Sequence, residues 1–322
     1  MSESFLPVRL KTLKADLSLG FQLYLQLPHK MILYAVEDSI LEQSRMDALK
    51  SKKVRKLYIK DSDEKKYQEF IDKSLSHVME DANASIEDKA NVVGESSESS
   101  AEQIFEKPAE KGSYLTAQST SQNLIKYLSA NDKLLKGIFS RKLSEEDTSS
   151  DTLMHKHAVN SASLIIGFAE FMQVDKSLVE IMGMTGLFHD IAFTLYDQQY
   201  KQTFFKRLED LSANELTKYK EHPRLGVELL QDKDYASKEL IDYILNHEER
   251  LGGNGFPSKV QKLSKEQAII NLCIHYDRYL TCLGMSMSEV FEDINLNQIG
   301  NFDLELIKKF KEFLKSNELN EN

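Results

Sequence analysis

The stretch LVEIMGMTGLFHDIAF, residues 178–193, decides how the carboxy-terminal part of this chain is read. Leu178, Val179, Ile181, Met182, Leu187 and Phe188 recur at helical spacing, the pattern of a helix with a broad apolar face. That helix runs into His189 and Asp190. An imidazole and a carboxylate at the buried end of a helix are costly to desolvate without a partner, and a divalent metal is the natural one. A His-Asp dipeptide alone is a weak signal, so the weight falls on what surrounds it.

Downstream, Glu221-His222-Pro223-Arg224-Leu225-Gly226 lies in or just after a helix that Ser212 and Glu215 open as a capping box. Further on, His247-Glu248-Glu249-Arg250 runs into the glycine-rich turn Leu251-Gly252-Gly253-Asn254-Gly255-Phe256-Pro257. His155 and His157 precede the first motif and His275 follows the last, so six of the eight histidines fall between positions 155 and 275. The other two, His29 and His77, have no carboxylate or cysteine at ligand spacing and read as surface or packing residues.

The chain around this region divides by pattern. Residues 1–81 read as a small α/β module, to which only its attachment to the domain that follows gives a regulatory or partner-binding role. Phe21, Leu23, Leu25 and Leu27 alternate with polar residues up to Pro28, and Met31–Val36 and Val54–Ile59 are further strands. Ser39 with Glu42, and Asp61 with Glu64, are placed to cap helices. Residues 82–113 turn to Ser, Glu, Ala and Asn, and read as a flexible acidic linker. Connecting helices follow over 114–150, carrying the stripe Leu124, Ile125, Leu128, Leu135, Ile138, Phe139 and Leu143. Residues 151–322 complete the chain as an all-α bundle. The fold class is therefore α+β overall, an amino-terminal α/β module followed by a helical domain.

Composition excludes some functions. The chain has 322 residues and a net charge of −10, which argues against a nucleic-acid polymer or an anionic membrane surface as the main partner. A phosphate-bearing ligand must be held locally, against that field. The longest clean apolar run, Leu164–Ala169, is far short of the roughly 20 residues that cross a bilayer. The amino terminus lacks the apolar core and small-residue cleavage site of a secretory signal, which makes the cytoplasm the expected compartment. The two cysteines, Cys273 and Cys282, lack CxxC spacing and read as buried free thiols.

Taken in order, these motifs resemble the HD-GYP family of HD-domain metallophosphohydrolases, associated with cyclic di-GMP hydrolysis, over roughly Asp151 to Cys282. His157 stands at the upstream helical histidine, 32 residues before His189, with His155 the weaker candidate. His189-Asp190-Ile191-Ala192-Phe193 matches HDIGK except that Ala192 and Phe193 replace Gly and Lys, and His222-Pro223 with Gly226 matches HPxxG. In the HHExxDGxGYP signature, Gly253, Gly255 and Pro257 fit, whereas Glu248, Gly252 and Phe256 replace His, Asp and the name-giving Tyr. Counting back from Leu280-Thr281 puts His275 at the late Asp position, with Asp277 as the alternative.

The resemblance implies a binuclear centre of two divalent metals, iron favoured and manganese or zinc also suited to His/carboxylate donors. One metal would take His157, His189, Asp190 and His275, the other Asp190, His222, His247 and Glu248, with Asp190 bridging. His189 and Asp190 would carry the catalysis, through a bridging hydroxide. The expected reaction is hydrolysis of cyclic di-GMP to linear pGpG or GMP. Loss of the HDIGK lysine at Phe193 weakens the expected phosphate contact, and Arg250 is the candidate to supply one. The alternatives are a degenerate domain that binds metal and acts as a cyclic-dinucleotide receptor or signalling adaptor, and a hydrolase of another phosphoester. A protein partner would dock through the amino-terminal module or the GYP-like loop.

Overall fold

A computed structural model describes residues 4–15, 17–141 and 149–319. The chain forms two compact units, residues 1–103 and 104–322.

The first unit is built on four antiparallel strands in the order β1-β4-β2-β3: β1 (Phe5–Arg9), β2 (Leu23–Leu27), β3 (Lys30–Ala35) and β4 (Lys56–Lys60). β2, β3 and β4 match the expected strands. β1 was not anticipated, since its only local marks are five residues and a proline. Pro7 cannot donate to a ladder, and β1 lies at a sheet edge, where that is tolerated. Helices α1 (Gln43–Ser51) and α2 (Glu64–Glu80) pack their apolar residues, among them Met46, Leu49, Phe70 and Leu75, into the core. Neither begins with the side-chain cap expected for it. Ser39 Oγ instead donates to the carbonyl of Val36 at 2.6 Å.

The segment expected to be a flexible linker is largely helical: α3 spans Ile86–Glu106. Its glutamates and serines are used for structure rather than solvation. Arg9 donates to Glu98 at 2.9 Å and to Glu102 at 2.8 Å, and Lys56 also pairs with Glu102. Gln103 Nε2 donates to the Pro7 carbonyl at 3.2 Å. Ser and Ala add little bulk, so the helix face can lie close to the sheet while its carboxylates meet cations at β1 and β4.

In the second unit, α4 (Lys111–Ala130) and α5 (Leu134–Ser140) bury Leu124, Leu128, Leu135 and Ile138. Leu143, the last residue of the expected stripe, lies outside the described residues. The core pair is α6 (Ser150–Phe171) and α7 (Lys176–Phe188). They approach so closely that a Cβ on Gly186 would lie 2.5 Å from backbone atoms of Ala162. Lys176–Leu195 is long and apolar enough by composition to cross a membrane, but most of it is buried inside this unit. The short α8 (Gln198–Lys201) leads to α9 (Ala213–Glu228), which opens with the expected Ser212/Glu215 capping box. Then come α10 (Lys238–Leu245) and α11 (Lys265–Asp277), the latter continuing into a π-helical turn over Arg278–Cys282. Helices α12 (Met287–Leu296) and α13 (Leu304–Ser316) close the unit. Cys273 and Cys282 are buried free thiols.

Candidate metal centre

Four helices deliver histidines to one buried point. α6 carries His157, α7 ends into His189 and Asp190, α9 carries His222, and His247 follows α10; all five residues are buried. The tight α6–α7 contact at Gly186 sets the His157 and His189 rings 5.0 Å apart.

In each of the four histidines Nδ1 is occupied. His189 Nδ1 donates to the Gly186 carbonyl (2.9 Å), His222 Nδ1 to Tyr219 (2.6 Å) and His247 Nδ1 to Ile244 (2.7 Å), while His157 Nδ1 donates to Asp277 Oδ2 (2.7 Å). The Tyr219 carbonyl is available for a covalent reason. In a helix it would accept from the backbone N–H four residues on, and that residue is Pro223, which has none. A carbonyl only accepts, so the ring proton sits on Nδ1 and the Nε2 lone pair faces inward.

Those inward atoms form two trios sharing one carboxylate. His157 and His189 Nε2 are 3.1 Å apart, and Asp190 Oδ2 lies 3.7 and 2.8 Å from them. His222 and His247 Nε2 are 2.8 Å apart, and Asp190 Oδ1 lies 3.3 and 3.7 Å from them. Two lone pairs at such distances repel unless a proton or cation lies between them. Nitrogen ligands at about 2.0–2.1 Å from one ion are separated by about 3 Å, so the donor set fits metal. Burial alone would raise the Asp190 pKa, but His189, then His222 and His247, hold the carboxyl well below the usual range. Burial, reinforced by His222 and His189, pushes His247 down to about 3. The centre thus favours a carboxylate at Asp190 and unprotonated rings at His222 and His247, whereas at His189 burial is outweighed by the Asp190 carboxylate, which raises the pKa of that ring.

Two residues of the expected ligand set lie outside both trios. Glu248 accepts from Tyr219 Oη at 2.9 Å and from Arg250 Nη2 at 2.9 Å. Burial raises its pKa, but Arg250 and His247 hold it at about 2. Its two oxygens are thus committed to protein donors. Arg250 Nη2 also donates to His275 Nδ1 at 3.3 Å, and the His275 ring packs on Tyr279 and Phe302. Asp277, the alternative late aspartate, lies behind His157. Asn160 Nδ2 and Thr281 Oγ1 donate to its second oxygen at 3.0 and 2.9 Å. Leu280 and Thr281, from which the late position is counted, sit in the π-helical turn, where the register differs from that of α11. Arg250 is consumed by Glu248, His275 and the carbonyls of His247 and Glu249, which leaves it a poor free phosphate contact. Phe193 is fully buried against Tyr196, Phe204, Tyr219 and His222, so the lysine position forms an apolar wall. His155 packs edge-on against Phe105, away from the trios.

The glycine-rich turn is held by Glu249, which stands at the glutamate of the HHExxDGxGYP signature. Glu249 accepts from the backbone N–H groups of Ser258, Lys259 and Val260 at 2.5, 2.9 and 3.0 Å. A Cβ on Gly255 would fall 2.2 Å from the Arg250 nitrogen, so only glycine permits the turn to fold back there. Tyr219 and Asp277 carry no local pattern of their own. For Tyr219 the helical proline four residues on was the available signal.

Comparison with known proteins agrees with this geometry. Residues 144–280 match the HD domain family. Cyclic di-GMP phosphodiesterase PA4108 of Pseudomonas aeruginosa is 29% identical over 108 residues, which are 34% of this chain and 25% of that protein. The chain thus spans about a quarter of that relative's length. Among solved structures, Bd1817, an HDG"Y"P protein from Bdellovibrio bacteriovorus, shares the fold with a TM-score of 0.72 at 24% identity, over 97% of this chain and 100% of that one.

Proposed function

We propose that this chain, whose residues 144–280 match the HD domain family, is an unconventional HD-GYP member with Phe256 in place of the signature tyrosine, and that it is a metal-dependent phosphodiesterase acting on cyclic di-GMP. The observation that carries the proposal is the pair of trios divided between the two oxygens of Asp190. His157 and His189 would hold one divalent ion, His222 and His247 the other, and Asp190 would bridge. Three protein donors per ion leave positions open, which is the pattern of catalytic rather than structural sites. When bound, such a pair supplies an activated water and neutralises charge developing on the phosphate. The His/carboxylate donor set suits iron, manganese or zinc alike, and the family resemblance favours iron.

The chain's own residues set the conditions for that chemistry. The Nδ1 contacts to Gly186, Tyr219, Ile244 and Asp277 keep each ring in the tautomer that presents Nε2. Phe193 and Phe204 pack on the histidine rings and exclude water from one side. In hydrolysis water adds to phosphorus, the bond to the 3′ oxygen breaks, and that oxygen takes a proton, giving linear pGpG and, after a second cleavage, GMP.

The test is elemental mass spectrometry of protein purified under low oxygen without added metal or chelator, followed by hydrolysis assays. About two equivalents per chain, with cleavage of cyclic di-GMP above a metal-stripped control, is the expected result. Two equivalents with binding but no cleavage would favour a receptor or adaptor, a reading that the commitment of Glu248 to Arg250 supports. A clear preference for a mononucleotide would replace cyclic di-GMP as substrate.

A further inference from the structure

Arg278, in the π-helical turn after α11, is a buried cation that the metal centre does not use. Its Nη2 donates to the carbonyls of Phe204 (3.1 Å) and Lys206 (2.8 Å), and its Nε has no partner. Among the described residues no carboxylate forms an ion pair with it, whereas the neighbouring Arg250 is paired with Glu248. The guanidinium carbon lies 5.4 Å from the Phe204 ring centroid and 5.1 Å from that of Tyr219. Those rings lead to the two sides of the centre, Phe204 packing on His157 at 5.5 Å and Tyr219 on His222 at 4.9 Å. Phe193 packs on the same two rings, at 4.9 and 5.9 Å. Carbonyls, aromatic faces and the longer-range attraction of Glu248, which is itself ion-paired to Arg250, soften the burial of a full charge without giving it an ion pair of its own.

We propose that Arg278 is a phosphate-positioning residue, supplying from the turn after α11 the positive charge that an HDIGK lysine would supply at position 193. Phe193 adds an apolar ring to the Phe204/Tyr219 pair, and Arg278 holds its cation against the same two rings. The ligand class is a phosphate ester. The proposal rests on the phosphodiesterase reading only for which ester is bound.

The experiment uses the metal-loaded full chain and two variants. Arg278→Gln keeps a donor for the Phe204 and Lys206 carbonyls but loses the charge, and Arg278→Lys keeps the charge. Inorganic phosphate is titrated by calorimetry at two salt concentrations, the KM for cyclic di-GMP is measured in parallel, and metal content is checked for each protein. Arg278→Gln is expected to weaken phosphate about tenfold or more and to raise KM similarly, with metal content unchanged and a smaller salt dependence. Arg278→Lys is expected to retain most of the affinity. Wild-type phosphate affinity in Arg278→Gln would overturn the proposal. So would an equal loss in both variants, which would make Arg278 a strap for residues 204–206 alone. Should Arg278→Gln fail to fold, Arg278→Lys against wild type still decides, because a tenfold loss with the charge retained counts against the proposal. A wild-type protein that binds phosphate but leaves cyclic di-GMP intact would refute the substrate and leave the phosphate titration to judge Arg278.

Discussion

Each unit of this protein buries a cluster of charged and polar side chains, and the two clusters are balanced differently. In the first unit Glu98 and Glu102 are almost fully buried, yet Arg9 reaches both and Lys56 reaches Glu102, so each anion has its cation in the chain. In the second, Asp190 and four histidines converge with their lone pairs facing one another, and nothing in the trios supplies the positive charge between them. The cost of burial is similar in kind. A cluster that satisfies itself is structural, and one that needs a cation from outside is a site.

The comparison breaks most severely at Asp190. Asp190→Asn removes the only carboxylate common to both trios, so metal content should fall toward zero and hydrolysis to the metal-stripped level. Elemental analysis that finds wild-type metal in this variant would refute the shared bridge. Chelation of the wild-type protein should act on one cluster alone. At a thousandfold excess of metal over Kd, binding stabilises the folded form by about 4 kcal/mol. Hydrogen exchange should therefore speed up in α6 and α7 when metal is stripped and stay unchanged in β1 and β4.

The converse holds for Arg9→Met, which takes the guanidinium away from both Glu98 and Glu102. Its expected cost is about 3 kcal/mol, read by denaturant unfolding and independent of chelator. Burial raises the Glu102 pKa, but Arg9 and Lys56 together bring it below the ordinary value. A depressed carboxylate contributes stability that is complete above its unfolded pKa, about 4.3, and lost as pH falls through the folded value. Arg9→Met should flatten that acid limb of the stability curve. The smallest effect belongs to Asp277→Asn, which leaves the ligands in place and weakens only the hold on His157 Nδ1. A loss of about 10- to 100-fold in metal affinity is expected, measured by competition with a chromogenic chelator.

Much of the centre was legible because its motifs are local. His189-Asp190 at a helix end, His222-Pro223 and His247 in order with His157 upstream all meet in the structure. The Ser212/Glu215 capping box formed as expected, because it is satisfied within one turn. The same reasoning failed for Ser39/Glu42, where the Ser39 hydroxyl found the Val36 carbonyl instead. It failed for α3 because serine and glutamate look solvated until Arg9, Lys56 and the Pro7 carbonyl, all distant in sequence, are placed against them. His275 and Glu248 have donor chemistry but lie outside both trios, and Arg250 engages both, a contact that no spacing rule signals.

By itself the sequence determined which residue types lie on which helices: the ordered histidines and Asp190, the proline that frees the Tyr219 carbonyl, and the glycines that allow close approach. These follow from covalent structure and helical period, which act over a few residues. Only the tertiary structure decided which donors face each other, which carboxylate is consumed by an arginine, and where the unpaired charge of Arg278 comes to rest. Those outcomes depend on contacts between elements far apart in the chain, where the cost of burying each polar atom is settled by whichever partner packing brings within hydrogen-bonding distance.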